Sequence, residues 1–168
     1  AVNESSKINK KSNYSSFRID ILKHMISLKK KTKFKFINLI LFNHDSIYRN
    51  KKFLIPRIVK SIKDNNYKFL KEIYTKNIYE DFSHAEDICN GIYKLINKKI
   101  IIDNLIFSSG KKTSINSVIN YLLKKYKKNK IYLKNTKINH KFVVGNNSLA
   151  KKILNWKQKK NIFTAARE

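Results

Sequence analysis

Hydrophobic and polar positions along this chain follow two rhythms. From Asn13 to Lys30, Phe17, Ile21, Leu22, Met25 and Leu28 recur at helical spacing, which predicts a helix. Phe34 to Phe42 is rich in aromatic and branched residues and predicts a buried strand. That strand stops at Asn43-His44-Asp45-Ser46, and a basic loop follows. A helix is expected from near Ile55, with Pro56 in its first turn and Ile58, Val59 and Ile62 on its apolar face. Asp64-Asn65-Asn66 ends it. Phe69 to Tyr74 and Ile78 to Phe82 read as short strands. Ser83 is placed to cap a helix from His84 to Asn97, with Ile88, Ile92, Leu95 and Ile96 inward. Ile100 to Phe107 reads as a strand ending in Ser-Ser-Gly. Ser114 is placed to cap a long helix, Ile115 to Tyr126. Ile131 to Leu133 reads as a short strand, and helices are expected over Ser148 to Leu154 and from Ile162 onward. Strands alternate with helices, so the fold class is α/β. No internal repeat or linker is visible.

Composition changes this picture in two ways. With 168 residues, 42% of them hydrophobic, the chain can bury a real core and is not a disordered tail. The formal net charge of +27 would ordinarily point to nucleic acid. Here Lys, Ile and Asn together make up 80 of the 168 residues, and all three have A/T-dominated codons. Selection for phosphate binding would enrich Lys and Arg but not Ile or Asn. Only 4 residues are Arg, the side chain preferred for bidentate phosphate contact. The lysines run from end to end, so the charge reads as a solvated surface and no specific nucleic-acid partner is expected.

The one cysteine, Cys89, excludes an internal disulfide framework and suits a reducing, cytoplasmic setting. Its place in a helical pattern predicts a buried structural thiol. No apolar run approaches the roughly 20 residues of a membrane span, and no signal-peptide pattern opens the chain. It begins with Ala, which fits a fragment or a trimmed chain.

Two constellations carry chemistry. Leu41 to Arg57 reads LFNHDSIYRNKKFLIPR: a buried strand ends in polar residues, where open α/β sheets place their ligands. Upstream, Tyr14 is followed four residues later by Arg18, so the two share a helix face. A phenol can exchange a proton with a substrate hydroxyl, and a cation one turn away favours its ionised form. Alone, this pair reads more readily as an exposed Tyr and Arg on an amphipathic helix. No residue is assigned to a metal.

Tyr14-Ser-Ser-Phe-Arg18 has the spacing of the YxxxK motif of short-chain dehydrogenases/reductases, with Arg in place of Lys. LFNHDS (41–46), Arg49 and FLIPRI (53–58) resemble the matching block of GDP-mannose 4,6-dehydratases, extended members of that superfamily. NESSKINKKSNY (3–14), EDFSHAEDICNGIYKLI (80–96), FSSGKKTSINSVINYL (107–122) and FVVGNNSLAKKILNWK (142–157) resemble further blocks of that family, in family order. The resemblance implies the C-terminal half of such an enzyme: the last part of a Rossmann-like parallel sheet (1–67), then a small α/β sugar-nucleotide-binding portion (68–168), with 98–112 returning to the main sheet.

It also implies an activity and residue roles. The parent reaction would be a lyase reaction, NADP-dependent oxidation, dehydration and reduction giving a 4-keto-6-deoxy sugar nucleotide from GDP-mannose. NAD is the alternative cofactor. Tyr14 would be catalytic. Arg18, His44 and Arg49 would meet the cofactor, and Asn43 and Arg57 the sugar nucleotide. The parent would be a homo-oligomer. Three departures stand out. Glu80 replaces an expected Arg that meets the diphosphate; the stretch from Lys128 to Lys141 is short and lacks an Arg-Pro element; and no GxxGxxG phosphate loop occurs among only 3 glycines. The 168 residues alone are therefore expected to be inactive. A sugar-nucleotide epimerase or reductase, a degenerate remnant and a basic nucleic-acid-binding module remain the other readings.

Overall fold

The computed structural model describes residues 1–7, 12–33, 36–129 and 142–168. The predicted strand at Ile131 to Leu133 lies outside them. Seven helices and six short strands are found among the described residues. In chain order they are α1 (Asn13–Lys31), β1 (Asn38–Leu41), β2 (Asn43–Asp45), α2 (Leu54–Lys63), α3 (Tyr67–Thr75), β3 (Tyr79–Glu80), β4 (Phe82–His84), α4 (Ala85–Ile96), β5 (Asn104–Phe107), β6 (Thr113–Ser114), α5 (Ile115–Lys125), α6 (Ser148–Leu154) and α7 (Ile162–Arg167).

The strands pair in three ladders. β1 runs parallel to β5, with Asn38 opposite Asn104 and Leu41 opposite Phe107. β2 runs parallel to β4, with Asn43 opposite Phe82 and Asp45 opposite His84. β3 and β6 are antiparallel, with Glu80 opposite Thr113. Parallel pairing needs helical crossovers, and α2, α3 and α4 supply them. The mixed α/β class expected from the sequence is what the chain adopts.

Two apolar clusters form. The larger gathers Ile58 and Ile62 of α2, Leu70 of α3, Ile115, Val118, Ile119 and Leu122 of α5, and Ile162 of α7. The second joins Leu105 and Phe107 of β5 to Ile88 and Leu95 of α4, Ala150 and Leu154 of α6, and Trp156. Phe107 meets the Trp156 indole edge-on at 5.2 Å. Trp156 Nε1 donates to the Asp87 carbonyl at 2.7 Å, so the buried indole leaves no polar atom unpaired.

Four expectations are corrected. Phe69 to Tyr74 belongs to helix α3. Phe69, Leu70 and Ile73 are buried at helical spacing, and the Asn66 side chain accepts from the Phe69 N–H at the helix start. The buried strand expected over Phe34 to Phe42 is only Asn38–Leu41, half-buried, with 34–35 outside the described residues. His84, not Ser83, caps α4: its Nδ1 accepts from the Glu86 N–H at 3.2 Å. Cys89 is exposed, because the inward face of α4 is set by Asp87, Ile88, Gly91 and Leu95. Helix α1 has no buried residue at all. Its Lys29 pairs with Asp103 and lies over the Phe36 ring.

Candidate functional site

The parallel ladders deliver the polar residues of the 41–49 segment to strand ends. Asn43 opens β2 and is exposed; His44 follows, half-buried. His44 Nδ1 lies 2.9 Å from the Phe42 carbonyl. A carbonyl only accepts, so Nδ1 donates in this contact. Asn43 Nδ2 donates to Glu80 Oε2 at 3.2 Å. Arg49 stacks its guanidinium over Phe53 at 3.8 Å, and its buried Nε has no partner among the described residues. Arg57 on α2 does the same over Phe69 at 4.0 Å. Both cations are thereby held flat against rings, a geometry Arg forms better than Lys.

Tyr14 and Arg18 lie on α1, one turn apart, and Tyr14 is 73% exposed. The structure thus divides the six predicted residues into two groups: Tyr14 and Arg18 on α1, and Asn43 and His44 on β2, Arg49 in the loop that follows and Arg57 in the first turn of α2.

Three buried carboxylates were not singled out in the sequence. Asp81, fully buried, accepts from Ser109 N–H at 2.7 Å and Ser109 Oγ at 2.6 Å through Oδ1. Its Oδ2 accepts from the Gly110 and Gly145 N–H groups, each at 3.1 Å. Asp81 therefore ties the strand carrying Glu80 to the Ser-Ser-Gly loop and to the turn at Gly145. Asp87 Oδ2 accepts from the Lys159 and Lys160 N–H groups at 2.9 and 2.8 Å, fastening the C-terminal segment. Asp45 accepts from the Ser46 N–H at 2.9 Å; burial raises its pKa, against the pull of that hydrogen bond, Arg49, His44 and His84. In a chain with only 11 acids, two Asp within the EDFSHAED block was the available signal.

His84 Nε2 lies 3.0 Å from Glu168 Oε2, and with Nδ1 accepting, Nε2–H donates. That hydrogen bond, with Lys160 next, lowers the Glu168 pKa. A cleft of about 430 Å³ opens nearby, bounded by Asp45, Arg49, Ile55, Val59, Tyr126 and Glu168.

This fold is the one seen in enzymes of nucleotide-sugar metabolism. The chain aligns with dTDP-glucose 4,6-dehydratase from Bacillus anthracis in complex with NAD (TM-score 0.80, 17% identity, 98% of this chain and 53% of that one). It aligns with RMD from Pseudomonas aeruginosa complexed with NADPH (TM-score 0.82, 13% identity, 99% and 56%). UDP-glucuronic acid 4-epimerase from Bacillus cereus, in complex with NAD, also aligns (TM-score 0.74, 17% identity, 98% and 53%). The chain spans about half the length of these structures. No curated protein sequence matches it. The family described as GDP-mannose 4,6 dehydratase matches residues 1–168, and the chain belongs to that family.

Proposed function

We propose that this chain is the tyrosine-bearing and sugar-nucleotide-binding half of a nucleotide-sugar 4,6-dehydratase, a lyase, with GDP-mannose as substrate and NADP as the cofactor of the whole enzyme. The observation that carries the reading is the family match over all 168 residues. The placement of Asn43 and His44 just past the carboxyl end of the parallel strand β1 supports it. In this reading Tyr14 exchanges a proton with a sugar hydroxyl. Arg18, His44 and Arg49 face the cofactor, and Asn43 and Arg57 face the sugar nucleotide. The division into a Rossmann-like portion (1–67) and a sugar-nucleotide portion (68–168) belongs to the same proposal, as do a homo-oligomeric parent and a cytoplasmic setting. No helix among the described residues is long and apolar enough to cross a membrane.

The residues present do not make a complete cofactor site. A pyrophosphate cradle needs glycines that leave backbone N–H groups open to the ligand. Here Gly91 and Gly145 serve packing, and Gly110 takes a left-handed backbone with φ of 70°. A Cβ on Gly91 would run into the Phe107 ring, and one on Gly145 would lie 2.6 Å from Phe42 Cε2 and Ser108 Oγ. The Gly110 and Gly145 N–H groups are already taken by Asp81.

A second reading, a sugar-nucleotide epimerase, is favoured by the alignment with UDP-glucuronic acid 4-epimerase. Assays on GDP-mannose and UDP-glucuronate decide between them: 4-keto-6-deoxy product from the first supports the dehydratase, and C4 inversion of the second supports the epimerase. The 168 residues alone should show no turnover. In a parent that also carries a Gly-rich cofactor loop, Tyr14→Phe should cut turnover by about 100- to 10,000-fold. Unchanged turnover in that variant removes Tyr14 from the mechanism. Arg18→Lys should hold or raise the rate.

A further inference from the structure

We infer that the cleft of about 430 Å³ beside α2 is a further ligand site, built for a small organic oxyanion, a phosphate or carboxylate carried on an apolar ring. The inference stands apart from the nucleotide-sugar reading. Of the residues named there, Arg49 alone also lines this cleft. The cleft follows α2. Ile55, Val59 and Lys63 recur at intervals of four, so they form one row on the helix, about 12 Å from first to last. Ala165 and Ala166 of α7 line it as well, and their short side chains leave space that larger residues would fill. Arg49 and Lys51 stand before the first turn of α2. Lys63 closes the far end, 5.5 Å from the centre of the Tyr126 ring.

The partners of the charged lining residues decide the sign of the cleft. Lys60 pairs with Asp64 on its own helix. Glu168 has both oxygens engaged: Oε2 accepts from His84 Nε2 at 3.0 Å and Oε1 from Lys160 Nζ at 3.1 Å. Asp45 is only 5% exposed, accepts from the Ser46 N–H and offsets part of the Arg49 charge. Lys51 and Lys63 are left with no acidic partner among the described residues. The Arg49 guanidinium lies flat over Phe53, and its buried Nε has no acceptor among the described residues. An oxyanion at this end supplies acceptors to Arg49 and charge to Lys51. A bare anion could settle beside many of the 38 cations of this chain. The apolar wall sets this cleft apart, because a ring on Ile55 and Val59 leaves water while its anionic group meets Arg49 and Lys51.

Amide shifts of the isotope-labelled 168-residue chain test this, followed as phenyl phosphate, benzoate, inorganic phosphate and phenol are added at about 150 mM salt. Phenyl phosphate and benzoate should move amides of residues 46–51, of α2 and of residues 165–168. The ring should add about tenfold in affinity over inorganic phosphate. The oxyanion should add about tenfold over phenol. Phenyl phosphate binding tighter than benzoate supports a phosphate ligand and the reverse a carboxylate, both within the inference. Lys51→Ala, at an exposed position, should weaken both aromatic oxyanions about tenfold and leave phenol unmoved. Asp45→Asn should tighten them. Val59→Trp, which fills the wall, should bring phenyl phosphate down to the level of inorganic phosphate. Lys99→Ala, an exposed lysine away from the cleft, should change nothing. Should Val59→Trp fail to fold, Lys51→Ala and the ring comparison still decide. Shifts spread evenly over the lysine-bearing surface, a ring that adds no affinity, or binding unmoved by Lys51→Ala overturns the inference and leaves the nucleotide-sugar reading standing.

Discussion

Three buried aspartates show how differently one side chain behaves in different surroundings. Asp81 takes four hydrogen bonds and Asp87 two backbone N–H groups through one oxygen, so their charges are met by donors. Asp45 takes one backbone N–H, and burial outweighs it and the nearby cations, raising its pKa. A raised acid pKa means the folded state binds the proton more tightly than the unfolded chain. Asp45 therefore subtracts stability at pH values above its folded pKa, and this loss disappears as pH falls to the ordinary aspartate range. Asp45→Asn keeps an acceptor for Ser46 and removes the charge. It should raise the denaturant midpoint at pH 8, and its advantage over the wild type should shrink steadily toward pH 4. A constant difference across that range would contradict the burial account. Glu168 acts in the opposite sense. Its lowered pKa, from His84 first and Lys160 next, gives stability that is present above the ordinary glutamate range and lost below it. It is common to both proteins, so the comparison isolates Asp45.

At the scale of elements, helix ends in this chain rely on Asn where many proteins use Gly. Asn65, Asn77 and Asn155 take left-handed backbone after α2, α3 and α6, with φ of 56°, 46° and 47°. Asn tolerates that region better than most residues, and its short side chain can bond locally. Gly91, by contrast, is needed inside a helix. A Cβ there would overlap the Phe107 ring and come within 2.9 Å of Trp156 Nε1. Ala is the better helix former by about 1 kcal/mol, yet overpacking costs about 1–3 kcal/mol. Gly91→Ala should therefore lower stability, read as a lower midpoint in chemical denaturation. Helix α1 lies at the other extreme. It is capped well, with Ser12 and Ser15 exchanging bonds, and its last turn carries Lys29, Lys30 and Lys31 where the helix dipole favours cations. Nothing on it is buried, and most helix stability in proteins comes from packing. Hydrogen exchange in the 168-residue chain should find α1 amides the least protected of the long helices, with α2 and α5 the most. Protection of α1 equal to α5 would show that this helix is covered in solution.

At the scale of the whole molecule, length and charge set the behaviour. The alignments take in 98–99% of this chain and 53–56% of the aligned structures, and within the chain α1 has no buried residue. Lys60–Asp64 and Lys76–Glu72 pair within one helical turn at exposed sites, where each pair is worth little, and Lys160 reaches Glu86 across 74 residues. The +27 charge should bring weak binding to any duplex, without sequence preference. That binding should fall by orders of magnitude between about 50 and 200 mM salt, as counterion release requires. A salt titration against mixed duplexes measures it; sequence-selective binding that persists at about 200 mM would favour a nucleic-acid function.

Periodicity alone determined much of the architecture. The apolar spacings of α2 and α4 were legible because an amphipathic helix repeats its core residues every three or four positions, although Ile96, read as inward, is exposed. The ordered motif blocks were legible because residue types at strand ends and helix starts are local. Residues 69–74 were ambiguous, since a short apolar run fits a strand or a helix. Burial of Phe69, Leu70 and Ile73 in the cluster with α2 and α5 decided for the helix. Neighbours far along the chain decided the rest. Asp81 finds its donors 28 to 64 residues away, and Asn43 meets Glu80 across 37. The sequence carries the donors and acceptors themselves. Only the parallel pairing of β2 with β4 and the antiparallel pairing of β3 with β6 bring them within reach, because hydrogen bonds act over about 3 Å and no local pattern encodes which distant strands meet.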